Sequence, residues 1–358
     1  MENKYYYRLL AFLLLLIPGW GYGETWQQTL EQKFDIVETF DNLQNWHGAK
    51  VPYCAIDPKL LPKREDGTLS HFTRYCNYYD TQVGDHIKDH GSQKQIGTKS
   101  LRLWHSGGLS YFGSYFGNGT PQSGYTDMYL FLRAYIPKTA FPTQVTGTYP
   151  NAVAEYIQGQ PYIYWSSWKF VNINTGFTAP YKWNYVDPPN SYGDREVWLH
   201  LFYYPTSSSL SGTMQISKDG GGYMVIDGKQ NAIAKYLDTL MGIEFHFKLE
   251  SPAGSNNGVL EVWFYDTQGN SELLLQTNNV AFRPSTGEGH NFNMVQLEGN
   301  KHTASSYIYN CGASMECSFY LDDFIIDDNR IGPIYYNLLA PEPDTTPPST
   351  PSGLQILN

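Results

Sequence analysis

Four side chains carry the groups that proton removal beside a carboxylate demands: Arg133, Lys169, His200 and Tyr204, each inside a strand-like run. A cation neutralises the carboxylate and makes the adjacent carbon acidic. An imidazole or phenol then takes the carbon-bound proton, and an acid protonates the departing oxygen. Aromatic residues alternate with these groups. Tyr129, Phe131 and Tyr135 share a period-two row with Arg133 in "DMYLFLRAYIP" (127–137), and Trp198 shares one with His200 and Tyr204 in "EVWLHLFYYP" (196–205). Rings at that spacing stack on the apolar faces of sugars, and an Arg forks onto a carboxylate or a pair of hydroxyls. The candidate catalytic set is therefore Arg133, Lys169, His200 and Tyr204, with Tyr129, Phe131, Tyr135 and Trp198 as candidate binding rings. The competing readings are an aromatic row beneath a second packed layer, a hydrogen-bonded His among rings, and a solvated edge charge at Lys169. Glu244, His246 and Lys248 in "GIEFHFKLE" (242–250) read as the polar row of a half-solvated strand. Hydrolysis of a glycosidic bond would use two carboxylates at a set separation, and Glu155, Glu196, Glu244 and Glu261 show no spacing that singles out a pair.

Charge gathers again in "SFYLDDFIIDDNRIGP" (318–333), where Asp322, Asp323, Asp327 and Asp328 surround Phe324, Ile325 and Ile326. Read at period two, Phe319, Leu321, Asp323 and Ile325 form one row, and Tyr320, Asp322, Phe324 and Ile326 the other. The first row is expected to face the core, with a carboxylate in its middle. Such a group must be protonated, paired or coordinated, because an unpaired buried charge costs several kcal/mol.

Helical periodicity is almost absent from the chain that positions these groups; "NAIAKYLDTL" (231–240) fits one short helix. Strand-like runs bounded by Gly, Asn, Asp and Pro dominate, at 34–40, 99–105, 127–137, 162–173, 196–205, 212–217, 242–250, 258–266, 272–282, 293–299 and 317–327. This pattern predicts an all-β fold, a two-sheet antiparallel β-sandwich. The spans 77–98 and 174–195 read as long irregular loops of the kind that carry function.

The first residues address the compartment. Lys4 and Arg8 precede an apolar run from Leu9 to Ile17, Pro18 breaks it, and "GYG" (21–23) offers a small-x-small cleavage pattern. Residues 1–23 are expected to be a secretory signal peptide, its apolar run too short to span a bilayer as a helix. The mature chain is expected to be exported and monomeric, with no membrane span. Its four cysteines agree with an oxidising compartment, and spacing favours Cys54 with Cys76 and Cys311 with Cys317; other connectivities would tie the two ends of the domain together. A net charge of −10 argues against nucleic acid as a partner. With 30 Tyr, 9 Trp and 33 Gly against 16% charged residues, the composition is that of an exported β-sandwich presenting aromatic platforms to sugars. Residues 341–350 read as a Pro/Thr-rich linker.

Several segments together resemble the concanavalin A-like lectin/glucanase jelly roll, in the form used by secreted bacterial polysaccharide lyases: "GTKSLRLWHSGG" (97–108), "DMYLFLRAYIP", "GIEFHFKLESPAGSNNGVLEVWFYDTQG" (242–269) and "FYLDDFIIDDNRIGP". The similarity runs from about residue 34 to 336 of the expected domain, 24–340. "PSTPSGLQIL" resembles the opening strand of a fibronectin type III module, so 351–358 is expected to begin one. The Glu-x-Asp-x-x-Glu signature of the laminarinase-like glycosidases is absent, as are the signature strands of one alginate lyase group, so no reaction carries over by motif. The resemblance implies that the first and closing strands are neighbours. Asp323 would then join Glu38 and Asp41, with Asp35 as a further candidate, around a structural Ca2+; pairing with Arg330 or backbone N–H groups is the alternative. The sequence thus leads to a polysaccharide as partner and a lyase acting on a uronate-containing glycan without a catalytic cofactor. A non-catalytic carbohydrate-binding module is the first alternative and a glycoside hydrolase the second.

Overall fold

The structure, a computed structural model, describes residues 25–47, 58–77, 85–104, 110–116, 119–138, 166–178, 194–204, 209–217, 223–229, 233–303 and 318–340. In chain order the strands are β1 Ile36–Glu38, β2 Trp46–His47, β3 Arg74–Asn77, β4 Asp85–Lys88, β5 Ser100–Trp104, β6 Ser110–Tyr115, β7 Asp127–Tyr135 and β8 Ser166–Thr175. They continue as β9 Glu196–Tyr204, β10 Ser209–Ser217, β11 Tyr223–Asp227, β12 Leu240–Lys248, β13 Gly258–Tyr265, β14 Ser271–Val280, β15 Phe292–Thr303 and β16 Ser318–Asp327. A nine-stranded sheet runs β14-β13-β12-β7-β16-β5-β4-β2, with β1 paired to β16, and a seven-stranded sheet runs β11-β10-β9-β8-β15-β6-β3. Together they make the two-sheet antiparallel sandwich that the alternation predicts.

Period-two rows build the interior. Met128, Leu130, Leu132 and Ala134 of β7 and Ile243, Phe245 and Phe247 of β12 meet Val171, Ile173, Val197, Leu199, Val295 and Leu297 of the opposite sheet in one buried cluster. Removing these apolar faces from water drives the two sheets together.

β16 departs from the simple alternation. Leu321 pairs with Ala134 and Phe324 with Leu132, so Asp322 and Asp323 together oppose Arg133 in a β-bulge. The extra residue reverses the parity of the strand. Phe319, Leu321, Phe324 and Ile326 lie in the core, whereas Ile325 belongs to a separate cluster on the outer face of the nine-stranded sheet. Asp323 therefore does not face the core as strict alternation predicts.

That outer cluster is closed by two helices which the sequence pattern does not reveal. Trp26–Glu31 starts with a capping box between Thr25 and Gln28. Gly332–Leu339 carries Pro333 in its first turn. Leu30, Tyr335 and Tyr336 from this layer pack on Val37, Phe131, Tyr265 and Ile325.

Other expectations change as well. Within 231–240 the described residues, 233–240, make a single 3-10 turn, Ala234–Tyr236, because Leu240 and Met241 already pair with Tyr135 and Ala134 as the start of β12. The span 77–98 contains β4, which pairs with β2 and β5. Among the described residues no helix is long and apolar enough to cross a membrane. The expected signal peptide, linker and fibronectin-like start lie outside the described residues, as do Cys54, Cys311 and Cys317; Cys76 stands on β3.

Candidate functional site

Register in the seven-stranded sheet brings one part of the candidate set onto neighbouring strands. Val197 and Leu199 are core residues, so the other row of β9 carries Trp198, His200 and Tyr204. Register places Lys169 of β8 directly opposite His200, with Thr213 of β10 on the other side of His200. Lys169 reaches this row through a bulge. Simple alternation would set it on the face of Val171, which lies in the core, but a register shift between the two admits Phe170 as an extra core residue. The bulge thus returns Lys169 to the row of His200.

The neighbouring cross-strand row is Gln296, Asn172, Trp198 and Gln215 on β15, β8, β9 and β10. The Asn172 amide donates to Gln296 Oε1 at 3.4 Å. Asn172, Asn174 and Gln296 are buried although they lie off the core row, and Trp198 is only 7% exposed. The sequence reading missed these carboxamides. Their signal is present in "FVNINT", where Asn172 and Asn174 alternate with Val171 and Ile173, and in Met294 and Gln296 around Val295. Carboxamides can donate to and accept from sugar hydroxyls and can donate to a carboxylate. Entry into β9 is fixed by the Asp194 N–H, which donates to the Thr175 carbonyl at 2.7 Å, and by Asp194 Oδ2 against His290 Nδ1 at 2.7 Å.

The remaining candidates stand on the opposite side of the sandwich. Arg133, Tyr129, Phe131 and Tyr135 belong to the outer row of β7 in the nine-stranded sheet, so two sheets packed about 10 Å apart separate them from His200. Arg133 is 3% exposed: it donates to the Tyr336 hydroxyl and, at 3.1 Å, to the Leu240 carbonyl. Its guanidinium lies 5.1 Å from the centre of the Tyr336 ring. Phe131 is fully buried against Tyr335, and Tyr135 packs on Tyr320. Tyr129 stacks at 4.2 Å on His246, whose ring nitrogens meet Asp127 Oδ1 at 2.8 Å and Glu261 Oε2 at 2.9 Å. The reading of this row as an open cleft is corrected: it is an aromatic row beneath a second packed layer.

The three candidate calcium ligands are likewise kept apart. Glu38 pairs with Phe324 on the core side of β16, accepts the His71 N–H at 3.2 Å and has Arg64 at 3.8 Å. Asp323 lies on the other side of that strand, accepting from Trp26 Nε1 at 3.3 Å and from the Tyr335 hydroxyl. Asp41 accepts from the backbone of Thr98 and Lys99 at 2.7 and 2.8 Å. As placed, Glu38, Asp41 and Asp323 do not form a calcium site, and among the described residues no group of three or more His, Cys, Asp or Glu could hold a metal. Arg330 is not the partner of Asp323 either; it reaches Glu244 Oε2 at 3.4 Å and the Tyr265 hydroxyl at 3.1 Å. Burial pushes Asp323 up to about 6 and Glu38 up to about 7, and it raises Asp322 well above the ordinary carboxylate range.

No protein-family profile matches the chain, and no curated protein matches it. Among solved structures it is similar to a legume lectin-like domain from Entamoeba histolytica, with 7% identity over 68% of this chain and 89% of that one and a TM-score of 0.32. It is also similar to the metal-free form of lectin I-B4 from Griffonia simplicifolia, with 8% identity over 68% of this chain and 90% of that one and a TM-score of 0.28. The sandwich assignment rests on the strand order and register given above.

Proposed function

We propose that the chain is an exported carbohydrate-active protein that holds a uronate-containing polysaccharide across the outer face of its seven-stranded sheet and cleaves it by β-elimination. The observation that carries this reading is the register that sets Lys169 opposite His200, one row from Asn172, Gln296 and Trp198. Lys169 and the carboxamides neutralise the uronate carboxylate and hold neighbouring hydroxyls. His200 takes the proton from the carbon that bears the carboxylate. The electron pair left behind forms the new carbon–carbon double bond as the glycosidic carbon–oxygen bond breaks, and Tyr204 protonates the leaving oxygen. Arg133 has no part in these steps.

A second reading, a non-catalytic carbohydrate-binding module, is favoured by the carboxamide row, which suffices for recognition without any proton transfer. The two are separated by incubating the protein with a panel of polyuronates and following the ultraviolet absorbance of the unsaturated product. The lyase reading expects a rise that His200→Ala removes. A flat trace across the panel, with binding retained in affinity gels and weakened by Lys169→Ala, would replace it with the binding module.

A further inference from the structure

Where the loop between β14 and β15 meets the start of β9, Asp194 faces His290. Asp194 Oδ2 lies 2.7 Å from His290 Nδ1. A carboxylate only accepts, so Nδ1 is the protonated nitrogen and the neutral ring presents Nε2 as a lone pair. Among the described residues no group hydrogen-bonds to Nε2, and the His290 side chain is 24% exposed.

Two glycines make room for this bond. A Cβ on Gly176, the residue after β8 at φ +67°, would lie 2.8 Å from both Asp194 Oδ2 and His290 Nδ1, and one on Gly287 would lie 2.7 Å from Asp194 Oδ2. Any side chain at Gly176 would push the pair apart. The backbone that carries the ring is fixed as well. The His290 N–H donates to the Gly287 carbonyl at 3.0 Å, and the His290 carbonyl accepts from the buried Arg283 at 3.0 Å. The imidazole is thus held in one orientation and one tautomer before any ligand arrives, which reduces the entropy that binding would cost. A clasp between this loop and β9 accounts for Nδ1; it has no use for an exposed acceptor at Nε2.

The pair also continues the row proposed to hold substrate. Val197 and Leu199 face the core, and by the same alternation Asp194 falls in the row of Trp198. The Asp194 N–H donates to the Thr175 carbonyl at 2.7 Å and the Gly176 N–H to the Asn291 carbonyl at 3.0 Å, so the three chain segments still run side by side here. Asp194 and His200 are six residues apart, about 20 Å of extended chain, which is a span of several sugar rings.

We propose that His290, oriented by Asp194 across Gly176, is a distal subsite that accepts a hydrogen bond from a hydroxyl of a sugar several residues away from the bond that is cleaved. The subsite rests on the saccharide reading given above but takes no part in proton removal. A hydroxyl suits it because a donor is what the lone pair lacks, and the Asp194 carboxylate behind the ring repels a uronate carboxylate. Its consequence is a preference for long chains over short ones.

The test is calorimetric titration with disaccharides and octasaccharides of alginate, polygalacturonate and hyaluronan, in a His200→Ala background so that the oligomers stay intact. His290→Asn keeps an N–H for Asp194 and removes the Nε2 acceptor, so the melting temperature should hold, whereas His290→Ala removes both and should lower it. The expected result is an octasaccharide bound more tightly than its disaccharide by the His200→Ala chain. Adding His290→Asn should weaken the octasaccharide about threefold to tenfold and leave the affinity for the disaccharide, however weak, as it is. An octasaccharide bound equally with and without His290→Asn, or a loss shared by the disaccharide, would overturn the subsite. No binding of any oligomer would overturn it together with the saccharide reading. A failure of the reaction alone shows itself separately, as octasaccharide left intact by the unaltered chain while the His290→Asn loss persists.

Discussion

Asp323 shows what a single residue can and cannot disclose. Its sequence context says that it needs a partner, and it has three: Trp26, the Tyr335 hydroxyl and the charge of Arg133. The face it occupies was not legible, because one inserted residue in β16 reverses every later side chain and no local composition marks the insertion. The same limit applies to Lys169, whose row depends on the bulge at Phe170. His86 permits a prediction at this scale. Burial depresses its folded-state value from 6.5 to about 3, so as pH falls the unfolded chain takes up a proton that the folded chain refuses. Stability present at neutral pH is therefore lost with acidification through that window, by ~2 kcal/mol between neutrality and about two pH units below it. His86→Asn keeps a donor for the Arg102 carbonyl and removes the titration. Urea denaturation at the two pH values should show a smaller acid loss in the variant than in the unaltered chain; equal losses would mean that His86 does not titrate as its burial requires.

At the level of elements, alternation identified the rows of β7 and β12 correctly and said nothing of what lies above them. Met128, Leu130 and Leu132 face the core as read, and Glu244 and His246 face away. The cover over Phe131 and Arg133 comes from helices of six and eight residues, too short for a periodic apolar stripe to stand out. Glu244 illustrates the consequence. It reads as a solvated charge, yet it is fully buried and accepts the N–H groups of Ile331 at 2.6 Å and Gly332 at 3.0 Å, capping the C-terminal helix from a strand. Its other oxygen accepts from the Tyr265 hydroxyl and Arg330. Glu244→Ala strands all of these donors and is expected to cost about 3 kcal/mol in chemical denaturation, whereas Glu244→Gln keeps an acceptor for the helix and should cost about half as much. Equal losses in the two variants would show that the charge, and not the cap, is what the helix requires.

For the whole molecule, the chain folds back on itself across the nine-stranded sheet. Asp323 on the closing strand joins the helix near the start of the described chain to the one near its end through Trp26 and Tyr335, whose rings meet at 5.6 Å. The two outer faces of the sandwich thereby differ. The centre of one is committed to holding the helices, and the other carries the row of Lys169 and His200 beside its carboxamides. Arg133 and His200, which sequence alone groups together, should therefore fail in opposite ways. Arg133→Lys keeps the charge opposite Asp322 and Asp323 but loses the fork that reaches Tyr336 and Leu240, and it should cost about 1–2 kcal/mol of stability. Polysaccharide binding and turnover per folded molecule should be unaltered. His200→Ala should leave the denaturation midpoint nearly in place while turnover falls by about 10²–10⁴-fold. Measuring both quantities on both variants decides between the faces. If Arg133→Lys weakened binding with no loss of stability, the helices would have to leave the nine-stranded sheet in the working protein, and the site would move to that face.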